Sequence, residues 1–548
     1  MDTLRTSVLI AGGGPVGLVT AIELGRRGIG CVLLNDKPDT AQHPKANAIG
    51  SRTMEHLRRL GVAKAVRAAG LDDDHPTDVA YFTRLTGIEL ARLRMPSRTE
   101  ALAQARAGTS PWQSPEPPHR CSQIFLERCL KHRADEMPSV DIRFGWRLTA
   151  WREEKDRIVA TAEEVATGRT VAIAADYLAG CDAGSSIVRK GLGIEYEGES
   201  GVVRPFMGGG MFASYFCTKV DSSWLRVGRA WQYWVLHPDV RGLMIHVDSH
   251  SLMMMHTVHV AGGDASTMDV GRINSALAGA PVPTEVISSV PWIAGYSLVA
   301  QSFGRGRAFI AGDAAHLFTP TGGLGMNTGI DDAVNLGWKL AALVRGWGGP
   351  LLAASYEAER RPVGARNVAF ARSFANSVGT ATVTAEIEKD TPAGRAERAT
   401  LGARLNEHAF REFIIPGIQL GLRYDGSSIV APDGSPTPPD EPTRYAQTAF
   451  PGGRAPHLWL ADGVALYDRM GPEFTLLQFR GASARDAADI ADAARARGVP
   501  LSVLDVPGAA ARALYDAELA LIRPDHHVAW RGTRAANPDA LIARVSGA

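Results

Sequence analysis

Cysteine is scarce in this chain. The five, Cys31, Cys121, Cys129, Cys181 and Cys217, are scattered among 548 residues and form no CxxC pair. That spacing argues against a disulfide framework or a thiolate metal cage, and free thiols in a reducing compartment follow. No apolar run reaches the length of a membrane span. The first apolar stretch is broken by three glycines, unlike a secretory signal, so a cytoplasmic protein is expected. Charge of one sign is also missing: 59 Lys and Arg face 58 Asp and Glu, a net +1. Nucleic acid and anionic membrane are therefore not expected as partners. His246, His250, His256 and His259 lie close together, but on extended-looking segments without an H-E-x-x-H pattern, and they read as core or surface residues. No metal is expected.

The chain does have material for a large core, with 45% hydrophobic residues and a length that suits two to four domains. It opens on "SVLIAGGGPVGLVTAIELGRRGIGCVLLNDK". Ser7 to Ala11 reads as a buried parallel strand, and "GCVLLN" as a second. Between them stand Gly12, Gly14 and Gly17 in G-x-G-x-x-G spacing, followed by a helical pattern beginning around Pro15 and Val16. Strand, glycine turn, helix and strand are the setting a dinucleotide fingerprint requires. Gly12 permits the turn, Gly14 lets the backbone approach a pyrophosphate, and Gly17 lets helix and strand pack. The helix N-terminus offers unpaired N–H groups to phosphates. Eighteen residues beyond Gly17, where an acid would bond a ribose, the chain has Asn35, with Asp36 next. Either could serve.

A second stretch, "GRAFIAGDAAHLFTPTGGLGMNTGIDDAVNLGWKL", sets Asp313 at the end of an apolar strand. A Pro- and Gly-rich loop through Pro320, Gly323 and Gly325 follows. Helical spacing then runs through Ala333, Leu336, Leu340 and Leu343, so a helix should begin between Leu324 and Asn327 and aim its positive end back at a flat ligand. A third, "DYLAGCDAGSSIVRKGLGI", again gives a strand, a turn and a helix start, with Asp182, Ser186 and Arg189 at the turn.

These motifs, in this order, resemble the FAD-dependent class A aromatic hydroxylases, the group that includes para-hydroxybenzoate hydroxylase, phenol hydroxylase and 2,4-dichlorophenol 6-monooxygenase. The resemblance extends over nearly the whole chain. It implies an α/β fold: a Rossmann-like FAD-binding domain (1–80, 119–190 and 291–380), an inserted antiparallel-sheet substrate domain (81–118 and 191–290), a helical connector (381–430) and a C-terminal thioredoxin-like domain (431–548). Asp313 matches the position that binds the ribityl chain, and Met326 and Asn327 lie in the same flavin motif. Asp182 matches a motif linked to FAD and NAD(P)H, with Ala183 where glycine is usual. "HPKANAIGSRTMEHLRRLG" resembles the flavin-covering segment and places Lys45 and Asn47 near the cofactor. Gln123, in "SQIFLERCL", matches a glutamine that binds FAD.

The resemblance further implies an NADPH- or NADH-driven monooxygenase. It would hydroxylate a phenolic or polycyclic aromatic molecule with O2 through an FAD C4a-hydroperoxide. Baeyer–Villiger insertion, epoxidation and hydroxylation that inactivates an antibiotic are the alternatives. The substrate pocket would form on the inserted sheet, with Phe206, Met211, Tyr215, Tyr233, His246 and Met254 as candidate lining. Tyr215, Tyr233 and His237 are the candidates for drawing a proton from a phenol. The last domain has no cysteine, so dithiol chemistry is excluded there and packing or oligomerisation is its expected role. A homodimer is compatible with this picture.

Overall fold

The computed structural model describes residues 3–200, 210–218, 228–258, 268–293, 295–374 and 381–548. Among these residues five sheets form, and the three largest organise the fold. The first has a parallel core in the order Ala308–Ile310, Thr170–Gly180, Thr3–Ala11, Cys31–Asn35 and Val140–Phe144. An antiparallel hairpin, Trp146–Glu154 with Arg157–Glu164, extends it beside Thr170–Gly180. Val8, Leu9 and Ile10 are wholly buried at its centre, each contributing roughly 1.5–3 kcal/mol of apolar burial. Helices Pro15–Gly25 and Leu324–Val344 pack on this core. Their contact is close because a methyl on Gly329 would lie 2.8 Å from Val16 Cγ2 and 3.0 Å from Gly312 Cα.

The second sheet has seven strands in the order Glu285–Ile293, Gly210–Cys217, Leu252–Val258, Arg241–His246, Gln232–Leu236, Val79–Phe82 and Glu89–Leu93. All neighbours are antiparallel except Gln232–Leu236 with Val79–Phe82. Alternation gives it two buried faces. The outer face, with Phe82, Phe216, Tyr233, Met244 and Met255, is covered by helix Val270–Ala278. The inner face, with Tyr81, Met211, Tyr215, Trp231 and Met254, meets Ile124 and Phe125 of helix Gln123–Asp135 and Leu401, Leu405 and Ala409 of helix Pro392–Phe413. This sheet begins at Val79, two residues ahead of the boundary expected from sequence.

The third sheet has four strands, Leu501–Val506, Phe474–Phe479, Leu519–Ile522 and Val528–Gly532 in that order, with helices Ala484–Ala496 and Pro538–Ser546 against it. It docks on the first domain through buried ion pairs. Arg454 bonds Glu55, and Arg523, oriented by Asp525 of its own domain (2.7 Å), bonds Glu359 (2.6 and 2.8 Å). Arg52 donates to the Asp525 carbonyl at 2.5 Å, and Trp338 Nε1 to the Asp525 carboxylate at 3.2 Å. Among the described residues no helix is long and apolar enough to cross a membrane.

Candidate functional site: a cleft between two helix ends

Helices Pro15–Gly25 and Leu324–Val344 both begin at a glycine with no side-chain cap, so their first N–H groups and positive ends are left for something else. Gly12 takes φ +103°, and a methyl there would meet the Cys181 carbonyl at 2.2 Å. One on Gly17 would strike the Gly12 carbonyl at 1.9 Å, whereas one on Gly14 meets nothing within 4 Å. Gly12 and Gly17 are thus needed for packing, while Gly14 borders open space. Pro15 occupies the first helical turn, where its missing N–H costs nothing. Val16 wedges its side chain between Gly312 and Gly329. Asn35 Oδ1 accepts from Gly13 N at 3.2 Å and Asn35 Nδ2 donates to the Lys37 carbonyl, which braces the glycine loop. The Asp36 carboxylate is open and faces Lys37 at 3.4 Å.

Asp313 lies on a short 3-10 turn, Gly312–Ala314, just after its strand. Its side chain is exposed although the turn is walled by protein, which describes a carboxylate on the floor of a cleft. Restricted solvent pushes its pKa upward, against the pull of His316 and Lys45. The turn is held from below. Asp332 Oδ2 accepts from Gly312 N (3.1 Å) and pairs with His316 Nε2 (2.6 Å), while Arg360 Nε donates to Asp332 Oδ1 at 2.7 Å. Tyr196 Oη donates to the Asp313 carbonyl at 2.6 Å, and the Arg189 guanidinium stacks 4.1 Å from the Tyr196 ring. Arg189 thereby joins the third motif to the second. Asp182 Oδ2 caps helix Ile187–Gly191 by accepting from Ile187 N at 2.7 Å, and burial pushes this carboxyl up. Ala183 makes the turn with φ +63°, a left-handed conformation reached without glycine.

The segment 41–50 closes one side. Gln123 Oε1 accepts from Ala46 N at 3.3 Å, Glu127 Oε2 from Ala41 N at 2.7 Å, and Gln123 Nε2 donates to Glu127 at 2.6 Å. Lys45 is exposed, within electrostatic reach of Asp313. The Asn47 carbonyl accepts from Cys121 N at 3.2 Å. Asn327 stitches the segment to the helix start: its Oδ1 accepts from Gly50 N (2.8 Å) and its Nδ2 donates to the Ala48 carbonyl (2.9 Å). Pro320 precedes the turn, and Gly322 and Gly323 take φ +72° and +62°. Gly325 sits against Phe318, and Met326 packs on the first core. Glu412, from helix Pro392–Phe413, accepts from Gly322 N at 2.9 Å.

On the seven-stranded sheet, Met211, Tyr215 and Met254 lie together on the inner face. Tyr233 and His246 do not. Tyr233 is on the outer face, where its hydroxyl accepts from Ala230 N at 2.8 Å, and His246 packs beside it, ring centroids 5.9 Å apart. The register sets this: neighbours on one strand point to opposite faces, and Trp234 rather than Tyr233 points inward. His237 is held between Arg84 and Glu388 at 3.3 Å, away from the inner face, so neither it nor Tyr233 is placed to take a substrate proton. Phe206 lies outside the described residues. Sequence reading missed His43, whose Nδ1 bonds Ser288 Oγ at 2.7 Å across to the sheet. It also missed Tyr196, Asp332 and Glu412, for which local pattern carries no signal because each acts through a distant partner.

A Rossmann-type domain with two unsatisfied helix ends around a cleft, roofed by an antiparallel sheet, defines a dinucleotide-dependent oxidoreductase. Residues 5–371 match the family described as FAD binding domain, and residues 448–547 that described as aromatic-ring hydroxylase, C-terminal. This chain belongs to the FAD-dependent class A aromatic hydroxylases. It is 32% identical over 574 aligned residues to the FAD-dependent monooxygenase apdD of Emericella nidulans, covering 99% of this chain and 90% of that one. It is 30% identical to the tetracenomycin B2 monooxygenase-dioxygenase of Streptomyces olivaceus, covering 99% and 98%. Chromopyrrolic acid-soaked RebC with bound 7-carboxy-K252c superposes with a TM-score of 0.88 at 34% identity, covering 100% of both chains.

Proposed function

We propose that this protein hydroxylates a phenolic or polycyclic aromatic molecule, with FAD held in the cleft between the two helix ends and NADPH or NADH as the electron source. When bound, FAD takes electrons from the nicotinamide and activates O2 so that one oxygen atom reaches the aromatic ring. The residues fit such a cofactor. The loop Gly12–Gly17 and the end of helix Pro15–Gly25 receive the pyrophosphate, with Gly14 as the open approach. Asn35 is committed to the loop, which favours Asp36 as the ribose acceptor. Asp313 would accept from the ribityl hydroxyls, and Gly323, Gly325 and the N–H groups beyond them would hold the flavin ring. Lys45, Asn47 and Gln123 close the covering segment, and Asp182 and Arg189 hold the adjoining turn.

The inner face of the sheet supplies the rest. Met211, Tyr215 and Met254 present an apolar wall that orients a flat ring and excludes water from the oxygen-transfer step. The single observation behind this reading is the open approach at Gly14 between two uncapped helices, with the Asp313 carboxylate on the floor. The tetracenomycin in the name of one similar protein and the 7-carboxy-K252c bound in another favour a polycyclic substrate here. The five cysteines are free thiols, Cys31 and Cys121 buried and the other three half-buried, which supports a reducing, cytoplasmic setting.

The test is direct. The purified protein should be yellow, and a panel of phenols and polycyclic phenols should include compounds that accelerate NAD(P)H oxidation, with a hydroxylated product in the mass spectrum and little H2O2. Colourless protein, or a flavin that NAD(P)H never bleaches with any ligand present, rejects the proposal.

A further inference from the structure

Strand His119–Arg120 pairs with Ala48–Ile49, which sets Arg120 directly opposite Ala48. Ala48 is at the edge of the cleft, since its carbonyl is held by Asn327 and a methyl on Gly323 would lie 3.1 Å from its Cβ. From this strand the Arg120 side chain reaches the inner face of the seven-stranded sheet, where its guanidinium lies 3.8 Å from the Trp231 ring centroid. Trp231 belongs to the same buried cluster as Met211, Tyr215 and Met254, and packs edge-on against Phe413 at 5.8 Å.

Arg120 is 9% exposed. Among the described residues no acid pairs with it, and its one hydrogen bond is a 3.9 Å contact from Nη2 to Met95 Sδ. Burial with no opposing charge pulls its pKa down to about 9. The ring beneath it offsets part of that loss through its quadrupole but offers no oxygen to the N–H groups. Two neutral donors in the cluster that Arg120 touches, Trp231 Nε1 and Tyr81 Oη, are buried without acceptors. Buried arginines elsewhere in the molecule, such as Arg360 and Arg454, are matched by carboxylates. Here the guanidinium lies on a cluster that also holds two unanswered donors, and among the described residues no carboxylate meets it.

We propose that Arg120 is a specificity residue that receives a carboxylate carried by the aromatic substrate, so that the enzyme selects aromatic acids over their neutral analogues. The proposal rests on the hydroxylase reading of the cleft. The guanidinium fork matches a carboxylate with two parallel hydrogen bonds, and its stacking on Trp231 fixes the plane of that fork. The ring attached to the carboxylate then lies along Met211, Tyr215 and Met254. Arg120 binds and orients; it takes no part in bond making.

The experiment uses flavin-loaded full-length protein and matched pairs of probes, 1-hydroxy-2-naphthoate with 1-hydroxy-2-naphthamide and 3-hydroxy-2-naphthoate with its amide. Binding is read from the perturbation of the flavin spectrum. Each acid should bind about 30-fold more tightly than its amide, as expected for a buried charge-assisted pair. Arg120→Met should reduce that ratio to within about 3-fold through loss of acid binding, and Arg120→Lys should restore part of it, with flavin content unchanged in both. A ratio near one for both pairs in the parent protein overturns the assignment, whatever the variants do. So does a ratio that survives in Arg120→Met. Selective acid binding without any stimulation of NAD(P)H oxidation would sink the hydroxylase reading and leave Arg120 in place. Equal hydroxylation of acids and amides would do the reverse.

Discussion

The FAD-binding domain meets its two neighbours in opposite ways. Toward the C-terminal domain it presents charge: Glu55, Lys339, Glu359 and Arg360 are all buried, and each has ionic partners. Toward the seven-stranded sheet it presents apolar surface and Arg120, which no acid meets among the described residues, while Trp231 Nε1 and Tyr81 Oη on the sheet side are left unanswered. A seam whose every charge is matched is a permanent joint, because opening it would strand desolvated ions. On the proposal above, the face with unmatched donors receives an occupant that comes and goes. The contrast separates the part of the molecule that holds shape from the part that changes partners.

Breaking the joint should give the largest effect. Arg454→Met leaves Glu55 buried beside one fewer cation and should cost about 3–5 kcal/mol in urea unfolding, whereas Glu55→Met with Arg454→Met together should recover most of it. A double variant as unstable as the single one would mean that packing, not charge, dominates the seam. The joint should also be acid-labile. His56 is buried against Asp331, and burial together with Arg52 pushes its pKa down to about 4 from an ordinary 6.5. The unfolded chain therefore binds the extra proton, and the contribution is complete above pH 6.5 and lost as pH falls toward 4. It amounts to something on the order of 3 kcal/mol. His56→Gln should flatten the fall in urea midpoint between pH 7.5 and 5; an unchanged slope would assign the acid lability to other histidines.

On the open side the effects are smaller and fall on ligand binding. Asp313→Ala should weaken FAD retention by ~1–3 kcal/mol, seen as flavin lost on dialysis, with little change in the unfolding of the apoprotein. Full retention would remove Asp313 from the site. The smallest change is a gain: Ala183→Gly relieves a left-handed alanine and should raise stability by about 1 kcal/mol without altering the spectrum of bound flavin. A loss of stability there would mean that the turn depends on the alanine methyl.

The same division explains what the sequence disclosed. The cofactor side is written in local patterns. Gly12, Gly14 and Gly17 within six residues, and Asp313 ahead of a glycine loop and a helix, are visible because each motif completes itself over a short stretch. The helix found at Leu324–Val344 starts where the spacing placed it. The substrate side is assembled from afar. Alternation in "WQYWVL" is plain, but its phase is not: whether Tyr233 or Trp234 faces the cleft depends on which side of the sheet the flavin domain approaches. Arg120, Trp231 and Phe413 meet only through tertiary folding, and so do Glu55 and Arg454, 399 residues apart. No window of sequence holds such a pair. For the final domain the sequence leaves packing and oligomerisation as the expected roles, and its ionic seam is a packing contact with the first domain.

That seam bears on shortened forms of the protein. Were the chain cut near residue 440, Glu55 would lose Arg454, Glu359 would lose Arg523, and Trp338 would lie bare on the back of the helix whose other end reaches the cleft. Glu55 would keep Arg52 and Glu359 would keep Lys339, but each buried carboxylate would have lost its second cation. A working miniature would have to recast those acids as apolar residues before any catalytic trait could be judged, and a natural homologue without the last domain should already have done so.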